Sequence, residues 1–222
     1  MKRVGIMGGT FDPIHLGHLM LGKQARDEYG MDEIWYMPSR VPPHKKDHPI
    51  TPSAQRCEMI REASRPYERF LLSEFELARR DGNTYTADTL RLLKEAWPET
   101  EFYFILGADS VMDIEKWYRP DYVLRAVPFM VADREPAHAL DGQIRYLEQT
   151  YGARFLRLHC REMDVSSADI RARLQNGEDV SSLLPASVAD YIRQKRLYRA
   201  ENTSGGKKGE LCTAKSSPYE NI

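Results

Sequence analysis

Two imidazoles, His15 and His18, follow directly on the string Gly8-Gly9-Thr10-Phe11-Asp12-Pro13. Residues three apart on a helix share a face, so both rings would address one ligand. Glycine lets backbone approach an anion closely, and the first N–H groups of a helix have no partner of their own. A glycine turn leading into a helix start with two imidazoles therefore suits the phosphates of a nucleotide.

The elements around this stretch must place it. Val4 to Met7 reads as a short buried strand, and a helix is expected from about Leu16 to Tyr29, where Leu21, Ala25 and Tyr29 recur and Gly30 offers a stop. Glu33 to Met37 is a second strand ended by Pro38, followed by a loop, Ser39 to Pro49, rich in Pro, His and Lys. Thr51-Pro52 is expected to cap a helix running through Ala63. Phe70-Leu71-Leu72 makes a third strand and Asp81-Gly82-Asn83 a turn. A helix from about Thr86 to Trp97 would put Leu90, Leu93 and Trp97 on one face. Phe102 to Leu106, the most apolar strand, belongs in the sheet centre.

After Gly107-Ala108-Asp109-Ser110 come short helices through Trp117 and near Asp121 to Arg125, then a strand at Pro128 to Ala132. A helix around Leu140 to Thr150 leads to a strand at Arg154 to His159. Val165 to Tyr198 is helical in two pieces, the first capped by Ser166 with Asp169 three residues on and stopped by Gly177. The second is opened by Pro185 and packed through Val188 and Ile192. This alternation predicts a Rossmann-like α/β fold: a doubly wound, mainly parallel sheet, helices on both faces, and a helical C-terminal part. Ligands in such sheets sit at the carboxyl ends of the strands.

The 222 residues, 41% hydrophobic and 29% charged, suit one domain with a full core. Residues 1–199 are expected to form it, and 200–222, rich in Gly, Ser, Lys and Glu, a disordered polar tail. A net charge of −1 argues against a general nucleic-acid or membrane binder. Cys57, Cys160 and Cys212 are odd in number and far apart, which suggests neither disulfides nor a zinc knuckle. With no long apolar run and no signal peptide, a cytoplasmic protein is expected.

A dehydrogenase-type dinucleotide site would need G-x-G-x-x-G and an acidic residue ending the second strand, where Met37-Pro38-Ser39-Arg40 stands instead. A zinc site built on His15 and His18 would need further ligands, and His44 is the one candidate. The full string is similar to the T/G-x-F-D-P-x-H-x-G-H signature of the nucleotidyltransferase superfamily, every position being present. The resemblance implies nucleotidyl transfer from a nucleoside triphosphate to a phosphate acceptor, with His15 and His18 around the bond being broken and Thr10 and the Gly8-Gly9 backbone holding the triphosphate. Such a reaction needs positioning and charge neutralisation more than covalent help. An acceptor phosphate monoester, with a second pKa of about 6, is already largely dianionic and needs no general base.

The loop Val41-Pro42-Pro43-His44-Lys45 narrows the resemblance to the bacterial nicotinate mononucleotide adenylyltransferases, which carry P-P-H-K/R there. Their S-Y-T-x-D-T-L block is matched by Thr84 to Leu90, G-A-D-S by Gly107 to Ser110 with Trp117 at the expected spacing, and I-S-S-T-x-I-R by Val165 to Arg171. The ending L-P-x-x-V-x-x-Y-I is matched by Leu184-Pro185 to Tyr191-Ile192, so the likeness covers all but the tail. It implies that His15, His18, Lys45 and Arg171 are catalytic. ATP would be bound by Gly8, Gly9, Thr10, Phe11, His15, His18, Gly107, Ser166, Ser167 and Arg171. The acceptor would be bound by His44, Lys45, Tyr85, Thr86, Asp109 and Trp117. Trp117 would stack on the cationic pyridine ring, and the helix start at Tyr85-Thr86 would receive the carboxylate. Tyr85 and Asp109 could also serve merely as caps, and Trp117 as a half-buried packing residue.

One departure is Ala168, where the family has Thr after the two serines. Asp12 reads as a turn-former first and as a supporting partner behind the site second. The expected function is adenylyl transfer from ATP to nicotinate mononucleotide, giving nicotinate adenine dinucleotide and pyrophosphate in NAD biosynthesis. Mg²⁺ would ride on the ATP phosphates, with no direct side-chain ligand. No nucleic-acid or membrane partner is expected, and a homo-oligomer is compatible with the reading. The alternatives are another acceptor, such as nicotinamide mononucleotide or phosphopantetheine, or a non-catalytic nucleotide-binding module.

Overall fold

A computed structural model of the chain describes residues 1–40, 50–79, 84–133, 137–161 and 163–199. The loop carrying His44 and Lys45, the turn expected at Asp81-Gly82-Asn83 and the 200–222 tail lie outside the described residues.

The strands are β1 (Lys2–Gly9), β2 (Glu33–Pro38), β3 (Phe70–Leu72), β4 (Thr100–Leu106), β5 (Phe129–Asp133) and β6 (Phe155–Arg161). The helices are α1 (Leu16–Tyr29), α2 (Ser53–Ser64), α3 (Phe75–Ala78), α4 (Thr86–Ala96), α5 (Ala108–Asp113), α6 (Pro120–Ala126), α7 (Ala137–Tyr151), α8 (Ser167–Gln175) and α9 (Ala186–Lys195). All strand pairs are parallel, in the order β3-β2-β1-β4-β5-β6. The fold is the Rossmann-like α/β arrangement expected.

Strand alternation explains why both sheet faces are covered. On β4, Phe102, Phe104 and Leu106 point to one side, where they pack with Leu90, Leu93, Val123, Leu140 and Leu147 from α4, α6 and α7. Ile105 points to the other side and joins Ile34, Tyr36, Leu21, Ile60, Ile170 and Val188 from β2, α1, α2, α8 and α9. Central strands buried on both faces read as continuous apolar runs, and β4 does lie centrally, beside β1.

Three local expectations need correction. Helix α2 begins at Ser53 with Pro52, not Thr51, at its cap, and proline has no side-chain group to make a capping bond; Thr51 lies one residue further out, its N–H donating to Asp12 Oδ2 at 3.2 Å. Trp97 does not continue the buried face of α4; it ends the helix 38% exposed and packs edge-on against Trp35. The short α3 was not anticipated. At the other sites the local signals hold: Gly30 ends α1 in the left-handed region (φ 61°), and Ser166 Oγ caps α8 by accepting the Asp169 N–H at 3.1 Å.

The chain runs outward from β1 to β2 and β3, then crosses back to β4 on the other side of β1. That reversal opens a crevice at the carboxyl ends of β1 and β4, the place where open α/β sheets bind ligands. Gly8-Gly9 and Gly107-Ala108-Asp109 form its two lips.

Candidate active site

β1 ends at Gly9, whose carbonyl accepts the Ser39 N–H at 2.8 Å. The chain then turns through Phe11, held at φ 50° and 2% exposed. A left-handed non-glycine residue costs about 1–3 kcal/mol, and here the buried ring offsets it. That ring lies edge-on to His18 (centroids 5.0 Å apart) and to Tyr36 (5.9 Å).

His15 caps α1 and His18 lies in its first turn. The rings stack with centroids 3.6 Å apart and planes 29° from parallel. The His15 backbone N–H donates to His18 Nδ1 at 3.2 Å, so the neutral His18 ring carries its proton on Nε2. Neither Nε2 is hydrogen-bonded among the described residues, and His15 Nδ1 is buried without a partner there. Gly17 leaves room between the two: a Cβ at that position would lie 3.1 Å from both His15 Nδ1 and Val165 Cγ1, so a larger residue would press on the His15 ring.

Burial lowers the His15 pKa to about 4. His18 is held well below the ordinary histidine value, first by burial and then by the neighbouring His15. Both rings are therefore neutral N–H donors at neutral pH. An anion brought against them would favour their protonated forms again. The pair is thus enclosed more tightly than the sequence suggests, His15 being 6% exposed.

Asp12 holds the turn from beneath. Its buried carboxylate accepts the Thr51 N–H and, at 2.5 Å, the Tyr198 hydroxyl; its own carbonyl accepts Arg171 Nη1 at 2.7 Å. Ser167 Oγ donates to the Pro13 carbonyl at 2.9 Å. The start of α8 is thereby fastened to the signature turn, bringing Ser166, Ser167 and Arg171 to its side. Ala168 at the same helix start is exposed.

The other lip carries the acceptor candidates. Trp117, half-buried, lies edge-on to Phe104 at 6.3 Å, and Phe104 Cζ would be 3.1 Å from a Cβ on Gly8. Trp117 is thus one ring away from the end of β1. Tyr85, at the cap of α4, packs on Tyr118 with centroids 4.5 Å apart, and Thr86 is the first residue of that helix. The first turns of α4 are anchored by buried Glu76, whose Oε1 accepts Thr89 Oγ1 at 2.8 Å, while burial raises the Glu76 pKa. Gly107 caps α5, and Asp109 is exposed in its first turn. His44 and Lys45 lie outside the described residues.

Sequence reasoning missed Arg56, Tyr198 and Tyr118. Arg56 and Tyr198 act from elements distant in sequence, and a charged residue on a helix reads as solvent-facing. Tyr118 had a signal, its position next to Trp117.

The sequence profile of the cytidylyltransferase-like family matches residues 6–173. A probable nicotinate-nucleotide adenylyltransferase of Bacillus pumilus is 40% identical over 202 residues, covering 90% of this chain and 100% of that one. Its counterpart in Dehalococcoides mccartyi is 40% identical over 207 residues, covering 90% and 98%. Among solved structures, a Plasmodium falciparum nicotinic acid mononucleotide adenylyltransferase complexed with NaAD superimposes with a TM-score of 0.74 at 22% identity, covering 89% of this chain and 98% of that one. The last likeness is one of fold.

Proposed function

The chain belongs to the cytidylyltransferase-like family, and from that membership and the geometry of the His15–His18 pair we propose that it joins nicotinate mononucleotide to the AMP portion of ATP. The products are nicotinate adenine dinucleotide and pyrophosphate, and the reaction is a step of NAD biosynthesis. Relatives 37–40% identical over about nine-tenths of the chain bear that name. The observation that carries the chemistry is the stacked pair at the start of α1, its Nε2 atoms unengaged among the described residues and the His18 tautomer set by a backbone N–H.

The acceptor's phosphate attacks the α-phosphorus in line, and pyrophosphate leaves with the electron pair of the broken P–O bond. His15 and His18 donate N–H to the triphosphate around that bond as negative charge grows on the leaving group. Thr10, the Gly8-Gly9 backbone, Phe11, Gly107, Ser166 and Ser167 hold ATP in place. Arg171 reaches its phosphates with the guanidinium N–H groups not given to Asp12. Lys45 and His44 neutralise the acceptor, Trp117 stacks on its pyridine ring, Tyr85 and Thr86 receive its carboxylate, and Asp109 accepts ribose hydroxyls.

The groups beside the signature turn, imidazole N–H and guanidinium, offer protons to an anion rather than lone pairs to a cation. Among the described residues no three His, Cys, Asp or Glu side chains could hold a metal ion together. On this reading Mg²⁺ would come with the triphosphate and would supply further charge neutralisation. No helix of the described residues is long and apolar enough to cross a membrane, and a cytoplasmic place of action fits this role.

The test is pyrophosphate release from ATP and Mg²⁺ with nicotinate mononucleotide, its amide or phosphopantetheine offered separately. Release is expected chiefly with the first. Release with phosphopantetheine alone would overturn the acceptor, and release with none, from folded protein, would favour a binding module. In His18→Ala, turnover should fall by roughly 10²–10³ with the fold intact.

A further inference from the structure

We propose that Arg56 is a positioning residue of this site, its buried guanidinium setting where the signature turn sits against the chain at Ser39 and Thr51. The inference rests on the adenylyl-transfer reading for its meaning and on geometry for its evidence. Arg56 lies in the first turn of α2 and is 1% exposed, the largest fully buried side chain among the described residues. A buried cation normally faces a carboxylate. Here, among the described residues, it faces three carbonyls. Nε donates to Thr51 O at 2.9 Å, Nη1 to Thr10 O at 2.6 Å, and Nη2 to Ser39 O at 3.0 Å.

The choice of carbonyls separates this from ordinary core packing. Thr10 is in the turn between β1 and the histidines; Ser39 directly follows β2; Thr51 precedes α2. None of the three lies within a strand or helix, so a sheet or helix ladder does not fix their positions. The same segments are tied again by Ser39 N–H to Gly9 O and by Thr51 N–H to the Asp12 carboxylate. Burial works against the charged guanidinium at this depth, and the Asp12 carboxylate partly offsets that penalty. A planar fork with fixed N–H directions can bridge three separate segments at once; an ammonium on a flexible stem cannot hold that geometry. Arg56 touches no reacting atom, and it acts by fixing the backbone from which Phe11 and His15 depart. Misplacement of reacting groups by about 1 Å can cost on the order of 10²-fold in rate.

The experiment compares wild type, Arg56→Lys and Arg56→Gln in three readouts: cooperative thermal melting, steady-state kcat and KM for ATP and nicotinate mononucleotide, and amide hydrogen exchange without substrate. Arg56→Lys should fold, hold each KM within about threefold of wild type and lose at least about tenfold in kcat. Arg56→Gln should lose more. Exchange at the Ser39 and Thr51 amides should rise about tenfold in both variants while β4 amides are unchanged. A kcat within twofold of wild type, a loss carried by KM alone, or unchanged exchange at Ser39 and Thr51 would overturn the proposal. Failure of both variants to fold would overturn it too, making Arg56 a residue of the fold and not of the site. An inactive wild type would defeat the adenylyl-transfer reading instead, since the exchange readout does not depend on turnover.

Discussion

Acid should loosen this protein well above the range in which carboxylates titrate, and His15 is the reason. In the folded chain its ring gains a proton only near pH 4, because burial disfavours the cation. In the unfolded chain it does so near 6.5. Between those values the unfolded state holds more protons, so each step towards acid favours unfolding. The stability that neutral His15 allows is fully present above about pH 6.5 and is lost as pH falls towards 4. A fall from 6.5 to about 4 corresponds to about 3 kcal/mol at 25 °C. That is a large fraction of the 5–15 kcal/mol typical of a domain. His18 is shifted in the same direction and steepens the loss. Depressed carboxylates such as Asp27 and Glu28 act at lower pH, below the ordinary carboxylate value, and so separate from this window. The assay is urea unfolding at intervals from pH 7.5 to 4.5 for wild type and His15→Asn, a variant that keeps a good N-cap and cannot titrate. The stability of wild type relative to the variant should fall by about 2–3 kcal/mol across that range. A non-hydrolysable ATP analogue should blunt the fall, since its charge restores the ring's affinity for protons. A flat difference between the two proteins, or an NMR titration placing His15 at 6 or above, would refute the reasoning.

Tyr198→Phe removes the hydroxyl that donates to the buried Asp12 carboxylate; a hydrogen bond to a charged group is worth about 1.5–3 kcal/mol, so calorimetry should show a Tm lower by roughly 3–12 °C. Trp117→Ala should raise the KM for nicotinate mononucleotide by about tenfold or more, the worth of one ring stacked on an aromatic side chain, with the KM for ATP nearly unchanged. Equal rises in both constants would remove Trp117 from the acceptor side.

What could be read from the chain alone followed from periodicity and punctuation. The bounds of α1 and β3, the central place of β4 and the Ser166 cap are local facts: an apolar period, a glycine, a serine before a helix. Where local reading failed, a distant partner had intervened. Thr51 looks like a cap for α2, but Pro52 takes that place, and Thr51 is held outside the helix by Asp12, 39 residues earlier, and by Arg56. Trp97 continues an apolar period, yet α4 ends before it, and Trp35 offers it an edge contact and Phe75 a tilted one instead. The four residues of α3 are too few to leave a pattern. The site splits along the same line. His15, His18 and Trp117 announce themselves by type and spacing. Arg56 does not, because an arginine on a helix gives no sign that three carbonyls await it inside.

Several breaches of ordinary folding rules gather at one place. A phenylalanine is held in the left-handed region, an aspartate and an arginine are buried, two imidazoles stack, and a ring nitrogen is left without a partner among the described residues. Each is unfavourable alone, and all lie within residues 10–18 or on the groups that hold them. Such features persist where the surroundings over-determine them. Here those surroundings are β1 paired on both sides, α1 seated on the sheet, and α2 and α8 fastened to the turn by Arg56, Ser167 and Arg171. The rigid part of the molecule carries the strain, and the turn gains a fixed place for its donors. A site whose chemistry is the placing of N–H groups around a departing anion is served by that division, because donors already in position need no reorganisation when the charge develops.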